Sequence, residues 1–325
     1  MRKLIQDLFL PAFQNPALQN HHDSAVLSLE ALRKPGSKLA FTTDAYVVDP
    51  LFFPGGDIGR LAVFGTVNDL AVAGARPCHL SLSFILEEGL PIKTLERVVH
   101  SIKEAAIESN ISIVTGDTKV VDRGKGDGIF ICTSGIGVVP PGIEIGPHHV
   151  KPGDAIIVSG DLGRHGIAIL SVREGLAFGS PIQSDCAPLH LAMNALLEAG
   201  IHIHCARDLT RGGLASALNE IAEDGGVSIS IDEAAIPVSK PVAGACEMLG
   251  LDPLYVACEG RMVLFVPQAE AEHTIKLLGN FSICGEAACI GSVGAFTSGR
   301  VVLKTLLGSS RLLDLLSGDQ LPRIC

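Results

Sequence analysis

The chain has 325 residues, 47% of them hydrophobic, and a formal net charge of −10 at pH 7. That length predicts two domains with sizeable cores, and the acidic balance excludes a surface built to neutralise nucleic-acid phosphates. No uninterrupted run of about 18 apolar residues occurs, so no membrane-spanning helix is expected.

The start, Met1-Arg2-Lys3-Leu4-Ile5-Gln6-Asp7, makes a poor signal peptide because Gln6 and Asp7 break its apolar run at once. Nine cysteines are scattered without C-x-x-C spacing, several in apolar context (Cys132, Cys246, Cys258). That is the pattern of reduced, buried thiols in a cytoplasmic protein rather than of a disulfide framework.

Residues 1–37 read as an irregular lead-in. His21-His22-Asp23 within it could bind metal, but adjacent side chains diverge in either regular structure, which leaves Asp23 the better candidate for ordering a loop or a phosphate-bound metal. Leu39–Val48 alternates like a strand and carries Asp44. A turn follows at Pro54–Gly59, then an alanine- and valine-rich helix holding Asn68-Asp69. A carboxylate in so apolar a segment is costly to bury unless a cation or donor satisfies it. Two of them facing each other suit magnesium bound through carboxylates and phosphate oxygens; the plainer alternative is a strand end at Asp44 and a solvated helix position at Asp69.

Cys78–Leu86 reads as a strand and Pro91–Ser109 as an amphipathic helix, with Leu95, Val98, Val99, Ile102 and Ala106 on one face. The short strand Ile111–Val114 runs into Thr115-Gly116-Asp117-Thr118-Lys119, which puts Asp117 at a strand end beside glycine. Arg123–Gly128 predicts a tight hairpin, or only a flexible turn, before the strand Ile129–Val138.

Pro140-Pro141-Gly142 and Lys151-Pro152-Gly153-Asp154 mark a boundary, giving domains over 38–150 and 151–310 and a tail over 311–325. The second half opens with the strand Ala155–Val158, the loop Ser159–Gly166 containing Gly160 and Gly163, and a helix over Ile167–Arg173. Strand, glycine loop and helix together aim backbone N–H groups at phosphate, although neither a Walker loop nor a Rossmann fingerprint is present. A helix spans Ala187–Ala199. His202-x-His204-Cys205 is either a metal cluster or, as its alternation favours, a half-buried strand. Asp208 and Thr210 stand where the next helix begins, a favourable place for caps and anions. Helices Ser239–Leu249 and Glu270–Leu278 alternate with strands Val227–Ile231, Met262–Val266 and Ala287–Val293, and Glu259 sits just before one of these strands.

Four acids beside Thr or Gly (Asp44, Asp69, Asp117, Asp208), with Lys119 and Arg211 nearby, describe a magnesium–nucleotide site made without a Walker loop. A bridging metal would neutralise charge on a transferred phosphoryl group. Cys325 ends the chain beside its own carboxylate and needs a base or cation to act as a thiolate. The stretch Gly318–Cys325 extends about 26 Å, enough to enter a cleft; the alternative is a terminal cysteine without a role.

Several stretches together carry a resemblance. They are Phe41–Asp44 with Asp49–Asp57, Val67–Ala71, Phe84–Pro91, Val114–Val121, Arg207–Gly213 and the terminal Pro322-Arg323-Ile324-Cys325. In these the chain resembles the HypE family of hydrogenase maturation proteins, within the superfamily of aminoimidazole ribonucleotide synthetase, selenophosphate synthetase and thiamin monophosphate kinase. The lead-in departs from the family pattern, His21-His22 preceding Asp23-Ser24-Ala25-Val26.

The resemblance implies an α+β, two-domain PurM-like fold, with an N-terminal domain forming a dimeric β-barrel, a C-terminal α/β sandwich and a flexible C-terminal tail. It implies that HypF carbamoylates Cys325 and that ATP phosphorylates the carboxamide oxygen. Loss of phosphate then leaves a thiocyanate whose cyanide passes to iron on the HypC–HypD complex. By motif, Asp44, Asp69, Asp117 and Asp208 hold magnesium; Asn68, Thr210, Gly160 and Gly163 join them around the nucleotide. Lys119 and Glu259 are the candidates for polarising and deprotonating the carboxamide. The alternatives are another ATP-dependent kinase or synthetase of the superfamily, and a non-catalytic scaffold with a docking tail.

Overall fold

A computed structural model describes residues 2–19, 24–28, 34–176, 182–296 and 299–315. His21, His22, Asp23 and the end of the chain from residue 316 to Cys325 lie outside the described residues.

The first half is built from β1 (Lys38–Tyr46), α1 (Ile58–Val72), β2 (Arg76–Glu87), α2 (Ile92–Glu108), β3 (Ser112–Val121) and β4 (Ile129–Val139). The strands lie in the order β1-β4-β2-β3, antiparallel except for the parallel pair β2–β3. Alternation decides the two faces. Ile129 and Ile131 of β4 join Leu80, Leu82 and Phe84 of β2 beneath the apolar stripes of α1 and α2. On the other face Leu39 and Phe41 are 55% and 69% exposed.

Helix α1 is buried along almost its whole circumference, as a helix clamped between two layers must be. Its start is fixed by Asp57, whose Oδ1 accepts from the N–H groups of Gly59 at 2.7 Å and Arg60 at 3.1 Å, and which also accepts from Ser101 Oγ. Asp57→Ala is expected to cost about 1–2 kcal/mol, read as a lower urea midpoint at unchanged slope. Gly65 has a local reason: a Cβ there would stand 2.3 Å from the Tyr46 hydroxyl, so only glycine lets the β1 ring lie against the helix.

Three expectations change. Residues 2–19 are mostly helical turns rather than irregular, because Phe9 stacks on Phe84 with ring centroids 5.1 Å apart and draws the segment onto the sheet. β3 does not stop at Val114; it continues to Val121, since Gly116 lets the strand pass Leu82 O, which would be 2.3 Å from a Cβ. Asp117 is therefore mid-strand. A tail beginning at 311 would cut a strand, since the chain pairs through Leu312 and Leu313 is 1% exposed.

The second half contains β5 (Asp154–Val158), α3 (Arg164–Arg173), α4 (His190–Glu198), β6 (Cys205–Asp208), α5 (Gly213–Gly225), β7 (Val227–Asp232), α6 (Lys240–Leu249), β8 (Met262–Pro267), α7 (Ala271–Leu278), β9 (Ala288–Phe296), β10 (Arg300–Lys304) and β11 (Ser310–Leu312). Its seven strands run β11-β10-β7-β9-β5-β8-β6, with one parallel pair, β7–β10. Strand β5 is buried on both faces, between the α5 side of the core and the α4–α7 side. His202 and His204 precede β6 and form no metal cluster: His202 pairs with Glu270 at 2.7 Å and His204 with Asp154 at 2.8 Å. The edge strand β6 lies against α1. That contact brings Asp208 to the first half.

Candidate active site

Three elements meet at the junction of the halves. β1 supplies Asp44, α1 supplies Asp69, and the end of β6 supplies Asp208. The alternation that buries Tyr46 against α1 turns Asp44 the same way, and Asp44 adds to the forces that hold the Tyr46 hydroxyl protonated, after burial itself. Thr42, also on that face, donates to Asp69 Oδ2 at 2.8 Å. Burial pushes the Asp69 carboxyl up, Thr42 opposes that, and Asp44 adds to it. Asp208 is pushed up to about 7 by burial, then by Asp69, with Asp44 contributing and Arg207 opposing. These carboxylates are mutually repulsive and under-compensated.

Glu259 completes the group. It is 4% exposed, and its Oε1 has no hydrogen-bond partner among the described residues. Burial raises it well above the carboxylate range, and Asp208, Asp185, Asp44 and Asp69 raise it further. A buried carboxyl oxygen without a partner is destabilising, and such groups mark places where a ligand completes the set.

Among the described residues no three His, Cys, Asp or Glu side chains converge closely enough to cage a cation by themselves. The donor set nevertheless fits a hard divalent ion that draws its remaining oxygens from an anionic ligand. Asp44, Asp69 and Asp208 are the residues that could hold it.

The other expected residues fall elsewhere. Asp117 lies on β3 opposite Ser83, on the open face of the sheet, with Lys119 at 3.7 Å. Two strands separate β3 from β1, so in a single chain Asp117 and Lys119 stand roughly 14 Å away across the sheet. The Asn68 amide is committed to backbone groups of the second half: it donates to Ala187 O at 3.0 Å and Glu259 O at 3.2 Å, and accepts from Leu189 N at 2.7 Å. It rivets α1 to the second half and so holds Glu259 in place.

Gly160 and Gly163 also have structural roles. A Cβ on Gly160 would lie 2.8 Å from Arg261 Nε. Gly163 caps α3 in the left-handed region at φ 82°, and its N–H goes to Cys258 Sγ. The N–H groups of Leu162, Gly163 and Gly166 thus bond within the protein, to Pro237 O, Cys258 Sγ and Ala257 O. Thr210 turns the chain into α5, its carbonyl accepting from Gly213 N at 3.1 Å.

The pattern reading missed a buried cluster behind Glu259. Arg261, 5% exposed, donates to Asp161 Oδ1 at 2.7 Å, and Asp185 Oδ1 accepts from the Glu259 N–H at 3.0 Å. The signal available was a charge flanked by glycine and strand residues in Gly160-Asp161 and Gly260-Arg261.

This architecture is that of an AIR synthase related protein: the family descriptions "AIR synthase related protein, N-terminal domain" and "C-terminal domain" match residues 21–139 and 151–304. Within that class, the carbamoyl dehydratase HypE of Rhodobacter capsulatus is 52% identical over 325 residues, covering 100% of this chain and 95% of the relative. A solved HypE in complex with ATP superimposes with a TM-score of 0.94 at 48% identity, covering 100% of this chain and 96% of that one. The chain of a HypE–HypF complex gives 0.83 at 43%, covering 96% and 99%. The chain belongs to the HypE family of carbamoyl dehydratases, which act in hydrogenase maturation.

Proposed function

We propose that the chain uses ATP and magnesium to dehydrate a carbamoyl group carried on Cys325, leaving a thiocyanate that supplies cyanide for the iron of a nickel–iron hydrogenase. The observation that carries this reading is the unpartnered, buried Glu259 Oε1 set among Asp44, Asp69 and Asp208. An amide oxygen is a poor nucleophile and an amide N–H a weak acid, so the reaction needs both an electrophilic phosphorus and a base. The carboxamide oxygen bonds to the γ-phosphorus as the bond to ADP breaks, and Glu259 takes one N–H proton. The carbon–oxygen bond then breaks, phosphate leaves with that oxygen and the second proton, and the C≡N bond forms. The tail peptide loses one water.

Magnesium held by Asp44, Asp69 and Asp208 would neutralise phosphate charge. Positive charge held there would offset three of the four carboxylates that raise the Glu259 carboxyl, Asp208, Asp44 and Asp69, and so favour its role as a base. Reach supports the route of the tail: Tyr255 Oη donates to Asp314 O at 2.8 Å. Tyr255, which holds Asp314, stands only four residues, at most about 14 Å along the chain, from Glu259, and an extended segment of ten residues, the length of 316–325, spans up to about 33 Å.

Lys119 requires a second copy of the chain. We take the functional unit to be a homodimer in which the open faces carrying Leu39, Phe41, Asp117 and Lys119 meet in a shared barrel, bringing Lys119 of one chain toward the site of the other. Phe41→Glu is expected to give a monomer by sedimentation and to lose conversion; a variant that stays dimeric and active contradicts the arrangement. HypF as the carbamoyl donor and HypC–HypD as the cyanide acceptor complete the reading, with one domain over 38–150 and a second from 151 that includes the strand ending at Leu312. A cytoplasmic setting suits the eight described cysteines, all free thiols. No described helix is long and apolar enough to cross a membrane.

A further inference from the structure

The turn that opens the second half carries a side-chain cluster that the dehydration chemistry does not use. In Lys151-Pro152-Gly153-Asp154 proline stands second and glycine, at φ 89°, third, the arrangement of a type II turn. It closes through the Asp154 N–H, which donates to Lys151 O at 3.1 Å. The reversal brings Asp154 Oδ2 to the Lys151 N–H at 2.8 Å, and the same oxygen meets His204 Nδ1 at 2.8 Å. The imidazole comes from the extended segment before β6. Two backbone bonds hold that segment: the His204 N–H donates to Phe265 O at 2.8 Å, and its carbonyl accepts from Gly146 N at 3.0 Å. His204 Nε2 then lies 3.2 Å from Lys151 Nζ.

These partners fix the protons. A carboxylate only accepts, so His204 Nδ1 carries the ring hydrogen; an ammonium only donates, so Nε2 offers the lone pair. The Asp154 and His204 side chains are 4% and 15% exposed, whereas Lys151 is exposed. A buried acid thus orients an imidazole, and the imidazole faces a nucleophile open to solvent, which is the order that activates a nucleophile by proton removal. Other lysines are placed differently. Lys38, Lys119 and Lys304 each lie against a carboxylate, while Lys151 meets a nitrogen able to take its proton. Glu270, the other carboxylate close to His204, is itself paired with His202 at 2.7 Å.

We propose that Lys151 is a modification site, an amine that His204 and Asp154 activate toward acyl phosphates. An acyl phosphate brings its own leaving group, so attack requires only that nitrogen lose a proton, the one task this relay performs. The ammonium first releases a proton to water. The free amine then bonds to the acyl carbon, the carbon–oxygen bond to phosphate breaks, and phosphate leaves with that electron pair. Nζ gives its surplus proton to His204 Nε2. The imidazolium, held by the Asp154 carboxylate, passes it to water. The product is a neutral amide in place of a cation at the start of the second half. Nothing in this step depends on ATP or on Cys325.

The test uses the full chain and acetyl phosphate at neutral pH, with acetylation of each lysine followed by peptide mass. Lys151 is expected to react at least about tenfold faster than Lys38 and Lys304, the low end of what a positioned base supplies. His204→Gln should bring Lys151 down to the rate of the other two and leave theirs unchanged, and Asp154→Asn should act in the same direction. The rates at Lys38 and Lys304 in the same sample report whether each variant is folded. The wild-type comparison needs no variant at all. Lys151 reacting no faster than Lys38 and Lys304 in wild type, or keeping its full rate in His204→Gln, overturns the proposal.

Discussion

Glu259→Gln is expected to leave ATP binding and tail carbamoylation intact and to slow water loss from carbamoylated Cys325 by about 10²- to 10⁴-fold, the range supplied by one positioned proton acceptor. The amide fills the same volume and keeps the backbone N–H bond to Asp185, so lost folding is not the cause. Stability should move the other way. Glu259 is held above its ordinary value in the folded chain, so the folded state keeps a proton that the unfolded state has released. Stability from this group therefore falls as pH rises through that window. The Gln variant loses that decline and melts no lower than wild type near neutral pH. A variant with full turnover assigns the proton to another group.

Asp208→Asn carries the second large effect. It removes a carboxylate from the set proposed to hold the magnesium–phosphate charge, and turnover is expected to fall by about 10³-fold, of the order seen when one preorganised electrostatic contact is lost. The Asp208 carboxyl rises from 3.8 to about 7 on folding, so its penalty is absent below about pH 4, grows as pH rises, and is complete above about pH 7. At 1.36 kcal/mol per pKa unit the full penalty is about 4 kcal/mol. Metal-free wild type should lose thermal stability across that window. Magnesium with ATP should restore it increasingly toward neutral pH, and Asp208→Asn should flatten both trends. A metal-free protein as stable at pH 7 as at pH 4.5 is the contrary result.

How much of this could be read from residues alone differs by element. Asp44 and Asp69 were legible because a carboxylate in an apolar run must be satisfied by something, and Asp208 because it stands at a helix start; Glu259 came only from the resemblance. Helices such as α2 follow from apolar periodicity. Asp117 and Lys119 were misread locally: the strand end suggested by Gly116 is an uninterrupted strand on the far face, a difference set by the backbone of β2 rather than by local pattern. Adjacency in sequence hides direction at Asn68-Asp69: Asp69 faces Thr42, whereas Asn68 bonds to Ala187 and Leu189. The glycines of the 159–166 loop resemble a phosphate loop, but a tertiary partner, Arg261, is what requires Gly160. The Asp161–Arg261–Asp185 cluster joins residues far apart in the chain, and no periodicity connects them.

The most direct measurement is the intact mass of the C-terminal peptide from carbamoylated full-length chain, incubated with magnesium and with or without ATP. A carbamoyl adduct on Cys325 that loses one water only when ATP is present, while Cys325→Ser takes up no carbamoyl group, is the predicted result. A carbamoyl adduct that keeps its mass while ATP is hydrolysed, or equal ATP turnover on a small molecule after residues 322–325 are removed, contradicts the account.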